Sequence, residues 1–174
     1  RLHLGEPLRQ LDLDRVDGRE RSRARHDEMR LRVDRDPIVP ADLAPRQLIA
    51  PLFEEGRCKD YQRLGRNGKG PRSDLALNAI LSEVAQLTGW TGRKAFFYGH
   101  SAGAQFVQRY MFAHPQRVER AALSAAGWYT FPCDYDYPHG IRPTKRLPGI
   151  HFEPLRFLRV PTAVFIGLED TFRD

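Results

Sequence analysis

The run Ala95-Phe96-Phe97-Tyr98-Gly99-His100-Ser101-Ala102-Gly103-Ala104-Gln105-Phe106 decides how the rest of the chain is read. Its first four residues are apolar throughout, the texture of a short strand covered on both faces by helices. Its last residues open a helix that carries Phe106, Val107, Tyr110 and Met111 on one side and stops at Pro115. Between strand and helix stands a Gly-x-Ser-x-Gly sequence, Gly99 to Gly103. With 14 glycines and five serines in 174 residues, chance supplies that pattern with a probability of about 0.03, before any strand-to-helix context is required.

The chemistry needs these residue types. A serine hydroxyl attacks a carbonyl only if it projects from the edge of the sheet, so the chain must turn sharply and hold Ser101 in a strained conformation. Gly99 and Gly103 are expected to remove side chains that would collide across the turn, and valine at position 103 is expected to disrupt the fold. The same turn aims the Ala102 N–H and the positive end of the helix at the point where negative charge develops on a substrate oxygen. A serine that merely capped the helix would need no glycine two residues to either side.

Outward from this point, helices and strands alternate. Ser73 offers an N-cap and Asp74 a first-turn acid; Leu77, Ile80, Leu81, Val84 and Leu87 recur at helical spacing until Gly89. Arg120 to Ala126 and Thr162 to Gly167 read as buried strands, and Leu48 to Phe53 as a short strand ended by Pro51. This order argues for a parallel sheet in an α/β layer fold. Gly65-Arg66-Asn67-Gly68-Lys69-Gly70 lacks the glycine spacing and the Ser or Thr of a phosphate loop, and reads as a plain turn.

The flanks differ in character. Residues 1–46 have no aromatic residue and set 11 arginines among 10 acids, an atypical charged segment expected to be weakly structured. Within it, Met29, Leu31 and Val33 alternate with arginines, which suits a short strand with one wet face. Residues 128–160 form an insertion rich in aromatics and prolines, including Trp128, Tyr129, Phe131, Tyr135 and Tyr137. It serves either as a satellite core or as a substrate wall, with Trp128 and Tyr129 within reach of Ser101 because they follow the neighbouring strand.

The motif Gly99 to Gly103, with Val164-Phe165-Ile166-Gly167-Leu168-Glu169-Asp170, resembles the α/β-hydrolase family, in particular its esterase, lipase and depolymerase-like members. The resemblance runs by order of elements from about Leu48 to Asp174. It implies a partial α/β-hydrolase fold over residues 47–174, a mostly parallel sheet with flanking helices, and ester hydrolysis through an acyl-enzyme on Ser101. It makes Ser101 the nucleophile, the Ala102 N–H an oxyanion donor, and Gly99, His100 and Gly103 the elbow. Asp170 is the triad acid it implies, with Glu169 and a merely structural Asp170 as the alternatives. A small-molecule ester is the implied substrate; no cofactor and no metal are called for.

The chain departs from that pattern at three places. No histidine follows Asp170, and no His-Gly oxyanion motif follows an apolar strand in the first third. The family's sheet has a strand between those matching Leu48 to Phe53 and Ala95 to Tyr98, and no segment here suits it. The expectation is an incomplete hydrolase: a fragment, a truncated product, or a chain whose first 46 residues are foreign to the family. Activity is therefore expected to be weak or absent, with exposed strand edges open to self-association. His100 is read as a packing or hydrogen-bonding residue and His114 as a bland helix-end residue, while His139 and His151 are the candidates for a substitute base. The rival reading is a catalytically silent binding protein that keeps the fold.

Composition narrows the remaining classes. No run approaches the roughly 20 apolar residues of a membrane span, and residues 1–20 hold no apolar stretch like that of a secretory signal. Compartment is not legible. The net charge of +6 comes from 28 basic residues, but they are dispersed among 22 acids with no basic helix face, so a solvated surface is favoured over nucleic-acid binding. Cys58 and Cys133 are too few for a disulfide framework or a thiolate metal site.

Overall fold

The computed structural model describes residues 10–11, 29–34, 48–54, 56–65, 71–142, 147 and 149–169. They contain two sheets of three strands each. In the first, β1 (Gln10–Leu11), β2 (Met29–Asp34) and β3 (Leu48–Pro51) run antiparallel, with Leu31 opposite Pro51 and Val33 opposite Ile49. Helix α1 (Ser73–Thr88) leads to the second sheet. There β4 (Ala95–His100), β5 (Val118–Ser124) and β6 (Thr162–Phe165) lie parallel in that order, with α2 (Ala102–Ala113) crossing between β4 and β5. A short helix α3 (Pro154–Phe157) precedes β6.

The helices form where the apolar spacing placed them. Leu77, Ile80, Leu81 and Val84 are buried along α1, and Gly89 ends it in the left-handed conformation at φ 70°. Ser73 is not the cap: Arg72 holds that position, while the Ser73 hydroxyl donates to the Tyr61 carbonyl at 2.8 Å. Leu87, expected on the buried stripe, is exposed. Helix α2 buries Phe106, Val107, Tyr110, Met111 and Phe112 almost completely, each contributing about 1.5–3 kcal/mol by removal from water. Phe112 stacks on Phe157 with ring centres 3.7 Å apart, which docks α3 on the end of α2.

Both sheets lean on this helical layer. From the β3 side, Ile49 and Phe53 pack against Ile80 and Val84, and the Phe53 ring lies 5.2 Å from Phe106. From the other sheet, Phe97 lies 5.1 Å from Tyr110. β3 and β4 do not pair with each other, and among the described residues no strand lies between them.

Two expectations about burial need correction. The Ala95 to Tyr98 strand is not covered on both faces: alternate residues Phe97 and Gly99 face the helices, while Phe96 is 65% and Tyr98 69% exposed. The strand at Thr162 to Phe165 is not buried either; each of its residues is exposed. Among the described residues no helix covers the face bearing Phe96, Tyr98 and Phe165, and in β6 the other face is exposed as well, at Thr162 and Val164.

Candidate active site

Strand β4 ends at His100 and α2 begins at Ala102, leaving Ser101 to make the whole turn. It does so at φ 52° and ψ −119°, a conformation that costs a residue with a side chain about 1–3 kcal/mol. The neighbours hold it there. The Ser101 N–H donates to the Ser124 carbonyl at 2.9 Å, tying the turn to the end of β5. Its own carbonyl accepts from Ala104 N at 3.0 Å and Gln105 N at 3.2 Å. The Ser101 hydroxyl makes no capping bond and has no side-chain partner among the described residues, and Ser101 is exposed.

The two glycines play unequal parts. A Cβ on Gly99 would lie 2.4 Å from the Gly103 carbonyl oxygen and 2.6 Å from Ala104 N, so only glycine allows the helix start to close over the strand. A Cβ on Gly103 would meet nothing within 4 Å. The expectation that Gly103 relieves a collision is therefore wrong: it is the backbone of residue 103, seated on Gly99, that makes the contact.

Ala102 opens α2, so its N–H is a first-turn donor with no helical carbonyl four residues behind it, at the positive end of a 12-residue helix. His100 follows Tyr98 onto the open face of β4, where its Nδ1 lies 3.3 Å from Ser124 Oγ. Asp170, the acid implied by resemblance, lies outside the described residues, as do residues 66–70 of the glycine-rich loop. Glu169 is exposed. No histidine–carboxylate pair faces Ser101 among the described residues.

Trp128 and Tyr129 follow directly from the sheet. Ala125 turns at φ 44°, its N–H donating to the Phe165 carbonyl at 2.8 Å, and Gly127 then comes up beside the side chain of Gln105, one helical turn beyond Ser101. The His139 ring sits 4.3 Å from that of Trp128, and a shallow concavity is lined by Trp128, Tyr129, Phe131 and His139. The Tyr129 hydroxyl is buried without a partner among the described residues, and burial raises its pKa. Tyr137 is buried as well, donating to the Arg63 carbonyl at 2.6 Å, with its pKa pushed up by burial.

Two polar groupings were not anticipated. Buried Asp74 receives Arg72 Nε at 2.7 Å and lies 2.8 Å from His114 Nε2, joining the start of α1 to the end of α2. Burial alone would raise the Asp74 pKa; the bonds from Arg72 and His114 outweigh it and hold the carboxyl below its ordinary range. His114 is thus a tie between helices rather than a bland helix end. The second grouping is Gln105, Gln108 and Arg109 on α2, of which Gln108 and Arg109 are buried. Nothing in the sequence signalled them, because Gln105, Gln108 and Arg109 fall on the side of α2 away from Phe106, Val107, Tyr110 and Met111, where polar residues read as a solvated face.

No family model matches the chain, and neither does any curated protein. Solved structures do. LpqC, a poly(3-hydroxybutyrate) depolymerase from Bordetella parapertussis, superposes with a TM-score of 0.53 at 22% identity, over 71% of this chain and 45% of that one. Poly(aspartic acid) hydrolase-1 from Sphingomonas sp. KT-1 superposes with a TM-score of 0.56 at 27% identity, over 74% of this chain and 52% of that one. The chain has part of an α/β-hydrolase fold. It spans about half the length of the two proteins it resembles.

Proposed function

We propose that this chain carries the nucleophile half of a serine hydrolase that cleaves ester bonds. The observation that carries the reading is Ser101 itself, held at φ 52° between β4 and α2 with its hydroxyl exposed. Strain of this kind persists where the surrounding structure enforces it, and a helix cap has no use for it. In the reaction, Ser101 Oγ attacks the acyl carbon, the C–O bond to the leaving alcohol breaks, and the hydroxyl proton ends on that alcohol oxygen. Water then cleaves the acyl-serine and restores the hydroxyl. The Ala102 N–H stabilises the oxyanion, and Trp128 and Tyr129 form the substrate wall. The names of the two structural neighbours, one a polyester depolymerase and the other a hydrolase of poly(aspartic acid), support a hydrolytic role for the shared elements.

The proton transfer is the weak step. A base contributes typically 10² to 10⁴ in rate, and no side chain is hydrogen-bonded to the Ser101 hydroxyl among the described residues. The expected activity is accordingly low, and added imidazole should supply a base. With p-nitrophenyl butyrate, 0.1 M imidazole is expected to raise turnover at least about tenfold above that of Ser101→Ala under the same conditions. No gap between parent and mutant, with or without imidazole, would leave the silent binding protein as the better reading. A gap of about a thousandfold without imidazole would show that His100, His139 or His151 already acts as the base.

A further inference from the structure

The aromatic segment that leaves β5 is fastened to the nucleophile helix by side chains that no role so far assigned to the site explains. Arg109 is 1% exposed, and its partners are neutral: Nε donates to Thr130 Oγ1 at 2.9 Å, and Nη1 to the Gln62 carbonyl at 2.7 Å and to Gln105 Oε1 at 3.1 Å. No carboxylate pairs with it among the described residues. A buried guanidinium without a counter-ion is a costly group, and burial lowers its pKa. Its planar set of donors joins three separate stretches of chain at once, a geometry that lysine or glutamine lacks.

Thr130 is the point of attachment. Its N–H donates to Gln108 Oε1 at 2.9 Å and its carbonyl accepts from Gln108 Nε2 at 2.6 Å, so one carboxamide imitates a strand neighbour. Its hydroxyl accepts from Arg109 and donates to the Pro138 carbonyl at 2.7 Å. Both ends of the loop 130–138 are thereby held on α2. Arg109 also decides which way Gln105 faces. Arginine only donates, so the Gln105 oxygen must point at it, which turns Nε2 toward Gly127, 3.4 Å from where a Cβ there would lie. That Nε2 donates to nothing among the described residues.

We propose that Arg109 is a positioning residue, which clamps the segment Gly127–Thr130 to α2 and presents the Gln105 carboxamide donor beside Ser101, where it meets an acceptor oxygen of the substrate. The functional half of this rests on Ser101 being the nucleophile; the clamp itself does not. A substrate suited to the arrangement carries a second carbonyl or carboxylate near the scissile ester.

Amide hydrogen exchange read residue by residue tests the clamp on the whole chain. In Arg109→Lys, the Trp128, Tyr129 and Thr130 amides are expected to exchange at least about fivefold faster, while those of β4 and β5 keep their protection. Thr130→Val removes one acceptor of the fork and leaves both backbone bonds to Gln108, so it should give the same pattern with a smaller change. It decides the matter if the lysine variant does not fold. Unchanged exchange at residues 128–130 in a folded variant overturns the clamp, as does a loss spread equally over β4 and β5. Gln105→Glu gives the buried charge a counter-ion and should raise the melting temperature; a fall would overturn the assigned orientation of Gln105. For imidazole-supported turnover of p-nitrophenyl 4-oxopentanoate, whose ketone supplies the second carbonyl, Arg109→Lys is expected to raise KM with kcat kept within about twofold. A parent with no Ser101-dependent turnover refutes the hydrolase reading alone, because the exchange pattern still reports the clamp.

Discussion

At position 101 the chain accepts strain that glycine would remove. With φ 52° the Ser101→Gly variant is expected to be more stable than the parent by about 1 kcal/mol, while Ser101→Ala, with the same Cβ, gains nothing. Urea unfolding of the three proteins checks this, and equal midpoints would show that the turn is unstrained. The glycines around it separate just as clearly. Gly99→Ala drives a Cβ to 2.4 Å from a carbonyl oxygen and should cost about 3 kcal/mol or prevent folding, whereas Gly103→Ala falls in open space inside a helix and should be neutral or stabilise by about 0.5 kcal/mol. Sequence reasoning treated the two glycines alike because the motif is symmetric about the serine. The collision is not symmetric, since a strand residue meets the backbone of a helical one.

Among the elements, α1 and α2 depend on a single buried carboxylate. Asp74→Asn leaves Arg72 and His114 facing an amide and should cost about 3 kcal/mol, measured as a drop in the urea midpoint near neutral pH. The same group sets an acid limb. Because the folded Asp74 has a lowered pKa, its contribution is fully present above the unfolded carboxylate value of about 3.9 and is lost as pH falls through the folded value. Between about pH 5 and pH 2 the parent should therefore lose stability more steeply than Asp74→Asn. Parallel curves for the two proteins would mean that the pair carries no linkage. The sequence offered Asp74 only as a helix-start acid and His114 only as a helix-end residue, 40 positions apart. Nothing local connects them; the tertiary meeting of the start of α1 with the end of α2 does.

At the scale of the whole molecule, the second sheet carries exposed apolar side chains on one face. Phe96, Tyr98 and Phe165 lie exposed there, and among the described residues β4 pairs only with β5. Apolar surface next to a strand with free backbone groups favours association between copies. Sedimentation velocity should show the mean mass rising with concentration, and Tyr98→Lys should suppress it while the melting temperature stays within about 3 °C of the parent. A monomer at all concentrations would refute this expectation. The sequence offered no strand between Leu48 to Phe53 and Ala95 to Tyr98, and β3 and β4 are not paired with each other. The exposure of Phe96 and Tyr98 was not legible, because an apolar run such as Ala95 to Tyr98 reads the same whatever lies on its second face.

The sequence alone determined the elements whose causes are local: the amphipathic spacing of α1 and α2, the glycine that ends α1, and the Gly-x-Ser-x-Gly turn at Ser101. Their physical basis is periodicity and backbone sterics, which act over a few residues. Only the tertiary structure decided which glycine is indispensable, which strand residues are exposed, and that Arg109, Gln108 and Thr130 fasten the aromatic segment to α2. Those outcomes depend on groups 21 to 47 residues apart meeting in space, and a buried polar side chain shows its purpose only when its partners are in place.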